Sequence, residues 1–212
     1  MKKISKAVVR RLPKYYRYLS YLAERGEERI SSAELSEITG FTASQIRQDL
    51  NHFGGFGQQG FGYRVSALRD QVAAIIGLES RQRLGIVGIG HLGEAIANSN
   101  LFTNDDYELI ALFDADPNKV GTSFSGHTIH SVADLEGIIR EEALDILIIT
   151  TPSAVAQELA DRAGRAGIKG IWNFALYDIH LPEGVVLENV YLEESLHTLT
   201  YYIHHPDHYQ GA

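Results

Sequence analysis

Leu84-Gly85-Ile86-Val87-Gly88-Ile89-Gly90-His91-Leu92-Gly93 is a short apolar run that breaks into a glycine-patterned turn and opens a helix. Such a turn brings backbone N–H groups and the positive end of a helix up to a pyrophosphate, because only glycine lets the main chain pass that close. The glycines alone are a weak sign. Asp114 strengthens it, standing 21 residues beyond Gly93 at the end of a second strand-like run, Tyr107 to Phe113. A carboxylate there accepts hydrogen bonds from the two hydroxyls of an adenine ribose, and its charge disfavours a 2′-phosphate. The expected ligand is therefore NAD+/NADH rather than the phosphorylated form.

Downstream, a helix is expected over His91 to Asn100, a strand over Tyr107 to Asp114, an amphipathic helix from about Ser131 to Glu142, and an apolar strand over Asp145 to Thr150. A helix from Pro152 to Gly167, a strand Gly170 to Asn173 and the run Val185 to Val190 follow. Strands apolar on both faces that alternate with helices imply a parallel sheet covered on both sides, a Rossmann-like domain. The expected cofactor residues are Gly88, Ile89, Gly90, His91, Leu92 and Gly93, then Asp114, Thr150, Thr151, Pro152, Asn173 and Phe174. Asn173 and Phe174 end a strand, where such sheets bind ligands and where a nicotinamide would border them. Helical residues Leu192 to Ile203 close the pattern with no further domain to fold against, and are expected to pack on another subunit.

Upstream, Leu12, Tyr15, Tyr16, Leu19, Leu22 and Ala23 share one helical face, with Pro13 placed for a first turn and Gly26 for the end. Ser31-Ser32-Ala33-Glu34 has the form of a capping box before an apolar stripe of Leu35 and Ile38, and Gly40 stops that helix. Thr42-Ala43-Ser44-Gln45 caps again, opening a third helix through Leu50. Two short helices joined by a glycine turn behind a longer one make a helix-turn-helix. Glycines and aromatics alternate from His52 to Val65, without the Gly-Lys-Ser/Thr ending of a phosphate loop, so a small hairpin wing is expected. Ser66 to Leu78 is helical in pattern, and the charged stretch Glu79 to Arg83 marks a domain boundary. The chain thus reads as α/β: a winged helix-turn-helix domain (1–80), a parallel-sheet cofactor domain (81–190) and a C-terminal dimerisation helix with tail (191–212).

Charge follows the same division. The chain has a net charge of −8, yet residues 1–80 hold 12 Lys+Arg against 8 Asp+Glu and the remainder 7 against 19. A basic front on an acidic body suits a polyanion partner for the front alone. In the second helix of a helix-turn-helix the N-terminal outward side chains reach base edges, here Ser44, Gln45, Arg47 and Gln48, while Ile46 and Leu50 face inward. Arg10, Arg11 and Lys14, with Gln58 and Gln59 of the wing, are expected near the DNA backbone or minor groove. The chain has no cysteine, so disulfides and thiol switches are excluded and any redox role runs through a bound cofactor. No stretch is long and apolar enough to span a bilayer or to serve as a signal peptide, so a cytoplasmic protein with no membrane partner is expected. His204, His205 and His208 in the tail lack ligand spacing, and no metal site or catalytic residue is expected.

Helix-turn-helix, aromatic glycine wing and dinucleotide fingerprint in this order resemble the Rex family of redox-sensing transcriptional repressors. The resemblance covers nearly the whole chain. It rests on Arg11-Leu12-Pro13, Gln45-Ile46-Arg47-Gln48-Asp49-Leu50, Phe53-Gly54-Gly55-Phe56-Gly57 with Gly60, Gly62 and Tyr63, Gly88 to Gly93, and Phe113-Asp114-Ala115-Asp116-Pro117 with Lys119-Val120-Gly121. Gly167-Ile168-Lys169-Gly170 with Asn173-Phe174 completes it. What it implies is a homodimer with a domain-swapped C-terminal helix, a palindromic AT-rich operator, and a Rossmann domain through which NADH releases the protein from double-stranded DNA. Four departures stand out. Gln48 replaces the family's usual Lys, Gln58 and Gln59 replace a basic wing tip, Tyr191 stands where Asp is usual, and Ser99 where Tyr is frequent. Arg17, Ser99 and Tyr191 are the positions at which the resemblance places an inter-domain switch, so an altered NADH response is expected. Two other readings stay open, an NAD-dependent dehydrogenase and a CoA-binding Rossmann protein. No evident acid or base supports the first, and Asp114 argues against the 3′-phosphate of CoA.

Overall fold

The computed structural model describes residues 4–54, 62–103 and 105–209. The chain divides into two compact units, one made of the residues up to Ser80 together with those from Pro206 onward, and one from Arg81 to His205. In the first, α1 (Lys6–Glu24) is followed by β1 (Arg29–Ile30), α2 (Ser32–Thr39), α3 (Ala43–Asn51), β2 (Tyr63–Arg64) and α4 (Val65–Ile76). Both expected capping boxes form. The Ser31 hydroxyl accepts from the Glu34 N–H at 3.1 Å and the Glu34 carboxylate from the Ser31 N–H at 2.7 Å, and Thr42 and Gln45 repeat the exchange. Gly40, at φ +73°, closes α2 in the left-handed region. Leu12, Tyr15, Leu19, Leu35, Ile46, Leu50, Leu68 and Val72 make the core of this unit.

Two local expectations change. Pro13 does not open α1 but lies inside it, because Ser5, eight residues earlier, caps the helix by accepting from the Val8 N–H. The ring withholds one donor on an exposed face, where water can serve the freed carbonyl. On α2 it is Thr39 that is buried, its hydroxyl donating to the Leu35 carbonyl at 2.6 Å, while Ile38 is 37% exposed. The strand that ends the glycine-aromatic stretch pairs antiparallel with β1, Ile30 opposite Tyr63, so the partner of β2 lies before α2 and outside that stretch.

In the second unit come β3 (Gln82–Val87), α5 (His91–Ala97), β4 (Tyr107–Asp114), β5 (Ser123–Phe124), β6 (His127–Ser131), α6 (Leu135–Glu141), β7 (Ile146–Ile149), α7 (Ser153–Ala166), β8 (Gly170–Asn173), β9 (Val186–Asn189) and α8 (Leu192–His204). The sheet order is β5-β6-β4-β3-β7-β8-β9, every pair parallel except β5 with β6. Alternate strand residues bury on opposite faces. Val87, Phe113, Leu147 and Ile149 pack under α6 and α7, whereas Leu84, Ile86, Leu112 and Ile148 pack on the side of α5. The helix expected to reach Asn100 stops at Ala97 because Ser99 caps a separate 3-10 turn, Asn100–Phe102, through its hydroxyl. The helix expected from Ser131 likewise begins as a 3-10 turn, Val132–Asp134, before α6.

Candidate dinucleotide cleft and nucleic-acid face

Connections leave β3 toward one side of the sheet and β7 toward the other, so the carboxyl ends of these two neighbouring strands part and leave a crevice. Gly88 follows β3 with φ +94°, and Gly90 is the residue before α5. The three fingerprint glycines meet different surroundings. A Cβ on Gly88 would lie 2.7 Å from the Thr151 methyl and 3.0 Å from the Thr150 carbonyl, and one on Gly93 would overlap the Gly88 carbonyl oxygen. A Cβ on Gly90 would meet nothing within 4 Å. Packing therefore demands glycine at Gly88 and Gly93, and the open side of Gly90 faces a cleft of ≈ 540 Å³.

Gly88, Gly90, Asp114, Thr150, Thr151 and Pro152 line this cleft. Asp114 Oδ2 accepts from the Ile89 N–H at 2.8 Å and Oδ1 from the Asp116 N–H at 2.9 Å. Lys119 donates to the Ile89 carbonyl at 2.6 Å and lies 3.5 Å from Asp114 Oδ2. The carboxylate thus holds the glycine turn while keeping lone pairs on the cleft side. The Thr150 hydroxyl donates between the carbonyls of Val87 and Gly88, at 3.0 and 2.8 Å, and ties the turn to β7. Thr151 Oγ1, by contrast, is buried and finds no hydrogen-bond partner among the described residues. An orphaned hydroxyl, an open glycine and a carboxylate that line one cleft suit a polar ligand that passes close to the main chain.

Five expected cofactor residues are placed elsewhere. Ile89 is 1% exposed, with its side chain in the core, its N–H on Asp114 and its carbonyl on Lys119. Asn173 is fully buried, donating to the carbonyls of Ala175 and Tyr177 and to Asn189 Oδ1, and accepting from the Ala175 N–H. It shapes the loop after β8 rather than facing a ligand. Phe174 packs edge-on against Trp172, ring centroids 4.7 Å apart, and His91 and Leu92 are exposed on the first turn of α5, outside the cleft lining. Val155, Leu159 and Arg162 line the cleft without having been expected. Their i, i+4, i+7 spacing along α7, directly after Pro152, was the available signal. A second cavity of ≈ 430 Å³, walled by Leu101, Phe102, Trp172 and Val186, opens at the amino ends of the strands, the wrong end of such a sheet for a dinucleotide.

On α3, Ser44, Gln45, Arg47 and Gln48 are all exposed while Ile46 and Leu50 are buried, so one face is free for DNA. Gln45 gives its carbonyl oxygen to the cap, leaving its amide N–H groups to face outward. Arg47 donates to the Ser32 hydroxyl at 2.8 Å. Arg10 is exposed on α1, and the Lys14 ammonium lies 5.0 Å from the Phe41 ring centre. Arg11 departs from its expected role. Its Nε and Nη2 donate to Asp49 Oδ2 and Oδ1 at 2.6 and 2.7 Å, a paired arrangement that leaves the guanidinium 20% exposed. Gln58 and Gln59 lie outside the described residues. The three switch positions each have local partners. Arg17 stacks on Tyr18, Ser99 donates to the Ile96 carbonyl, and the Tyr191 hydroxyl donates to Asp178 Oδ1 at 2.5 Å. That bond to a carboxylate pushes the Tyr191 hydroxyl up to about 12. Among the described residues no group of three or more His, Cys, Asp or Glu could hold a metal, and no helix is long and apolar enough to cross a membrane.

Residues 3–51 match the family model of the putative DNA-binding protein N-terminus, and residues 79–177 that of the CoA binding domain. The redox-sensing transcriptional repressor Rex of Clostridioides difficile is 52% identical over 200 residues, 94% of this chain and 95% of that protein. Rex of Clostridium perfringens is 47% identical over 206 residues, 97% of each. The crystal structure of RSP with β-NAD+ and operator DNA superposes with a TM-score of 0.91 at 45% identity, covering 98% of this chain and 95% of that one. RSP with β-NADH gives 0.87 at 43% identity, covering 98% and 97%.

Proposed function

The chain belongs to the Rex family of redox-sensing transcriptional repressors, and from that premise we propose how its own residues bind DNA and cofactor. It is a repressor and not an enzyme, and its ligands are DNA and NAD+/NADH. The dehydrogenase and CoA readings give way to this one. In our reading residues 1–80 form the DNA-binding domain, 81–190 the cofactor domain and 191–212 the dimerisation segment of a cytoplasmic homodimer on a palindromic operator. Ser44, Gln45, Arg47 and Gln48 face the major groove, and Arg10 and Lys14 lie beside phosphates, with Gln58 and Gln59 at the wing.

The cleft holds the dinucleotide through Gly90, Asp114 and Thr151, joined by side chains of α7. The pyrophosphate passes the open side of Gly90, the adenine ribose bonds the remaining lone pairs of Asp114, and Thr151 turns its hydroxyl onto the ligand. Val155 and Leu159 offer an apolar wall. The bound nicotinamide supplies the redox difference that the protein reads, and the chain's own part is to favour one conformation with NADH bound and another without it. The observation that carries this reading is the open side of Gly90 between two glycines whose Cβ positions are blocked. The test is a pair of titrations, NADH and NAD+, of the chain bound to the RSP operator duplex and followed by fluorescence anisotropy. NADH is expected to release the DNA and NAD+ to leave it bound. Equal retention under both cofactors would remove redox sensing from this chain while leaving DNA binding intact.

A further inference from the structure

Among the described residues Asp49 is the single buried acid, 2% exposed, and it sits on the recognition helix one residue beyond Gln48. Its carboxylate receives three donors, two from Arg11 and the hydroxyl of Tyr15 at 2.8 Å, both residues of α1. Tyr15 is fully buried and meets Phe41 edge-on, ring centroids 5.7 Å apart, and Phe41 stands in the turn between α2 and α3. A buried carboxylate keeps its charge only while its donors stay in place, so this cluster permits one depth and one rotation of α3 against α1. The apolar contacts of Ile46 and Leu50 tolerate small slides, which a forked guanidinium on two oxygens does not.

We propose that Arg11 is a positioning residue for operator recognition, holding Asp49 with Tyr15 so that the exposed face of α3 meets the bases in register. It is therefore not one of the phosphate contacts. This rests on the reading of α3 as the DNA-facing helix.

The two roles differ in sign. Affinities for the RSP operator duplex, and for a scrambled duplex of the same composition, are measured over a NaCl series for the wild-type chain, Arg11→Lys, Asp49→Asn and Tyr15→Phe. Lysine keeps the charge that a phosphate needs but cannot bind both carboxylate oxygens in a fork. Arg11→Lys is expected to weaken operator binding roughly tenfold, with scrambled-duplex binding and the salt slope unchanged. Asp49→Asn removes a negative charge from the DNA side, yet is expected to weaken operator binding as well. Tyr15→Phe deletes one O–H and should lose a few-fold. Should either charge variant fail to give a wild-type helix spectrum, Tyr15→Phe decides. Wild-type operator affinity in Arg11→Lys or in Tyr15→Phe, or tighter binding to both duplexes in Asp49→Asn, would overturn the proposal. A wild-type chain that does not prefer the operator removes the DNA reading itself. Amide hydrogen exchange then tests the positioning alone, where Arg11→Lys should speed exchange in α3 more than in α2, and unchanged protection of α3 overturns it.

Discussion

A methyl group added at Gly93 runs into the Gly88 carbonyl, whereas one added at Gly90 meets nothing within 4 Å, at backbone angles any residue can adopt. The two substitutions should therefore separate folding from binding. Gly93→Ala is expected to lower the melting temperature and lose NADH binding together, since the turn must move. Gly90→Ala is expected to melt like the wild type while NADH affinity, read by cofactor fluorescence, falls at least roughly tenfold. Equal NADH affinity in Gly90→Ala would show that the main chain does not approach the ligand there. Thr151→Val tests the orphaned hydroxyl in the same way, leaving the free chain as stable or up to about 1 kcal/mol more so, and weakening NADH. The glycine spacing and Asp114 were legible from sequence because local geometry dictates them. Asn173 and Arg11 were not, since their partners reach as far as Asn189 and Asp49 and nothing in a polar residue's neighbours tells a surface side chain from a buried one.

Helix boundaries followed their caps. Where a hydroxyl and a carboxylate or amide exchange bonds over three residues, as at Ser31 and Thr42, the ends of α2 and α3 fall where the spacing says. Pro13 misled because proline suits a first turn but is also tolerated on an exposed helix face, and Ser5 had already supplied a start. The β5–β6 hairpin went unread because two-residue β5 is too short to show alternation. Contacts between elements are testable through pH. Arg162 on α7 donates twice to Glu136 on α6, at 2.6 and 2.7 Å, and these bonds lower the Glu136 carboxyl to about 2 from an ordinary 4.5. A depressed folded-state value means the pair contributes above pH 4.5 and its contribution fades as pH falls toward 2. Glu136 is 27% exposed, so water screens the pair and the contribution is about 1 kcal/mol. Glu136→Gln should lower urea stability by that amount at pH 7 and by less at pH 3. A loss that does not shrink at pH 3 would show that the glutamine disturbs α6 by other means.

At the scale of the whole molecule the unmatched element is α8. It buries none of its residues, and Leu192, Leu196, Leu199 and Ile203 are 56 to 65% exposed along one stripe. A 13-residue helix is marginal in water without packing, and such a stripe on one chain marks a surface that another covers. A second copy fits this requirement, because a two-fold axis offers the same stripe and the same uncovered surface twice. The wild-type chain should then sediment at twice its 23.5 kDa, and Leu196→Glu combined with Leu199→Glu at that mass once, with a loss of helix signal. DNA binding should fall with the dimer. One winged helix on a half-site forgoes the effective concentration that linkage to the second provides, and the affinity loss should exceed roughly a hundredfold. The cleft residues Gly90, Asp114 and Thr151 all come from one chain, so NADH should still bind the monomeric variant. A charge variant that keeps the dimer mass would place the subunit contact away from α8. A monomeric variant that binds the operator as well as the wild type does would mean that one chain suffices to read the DNA.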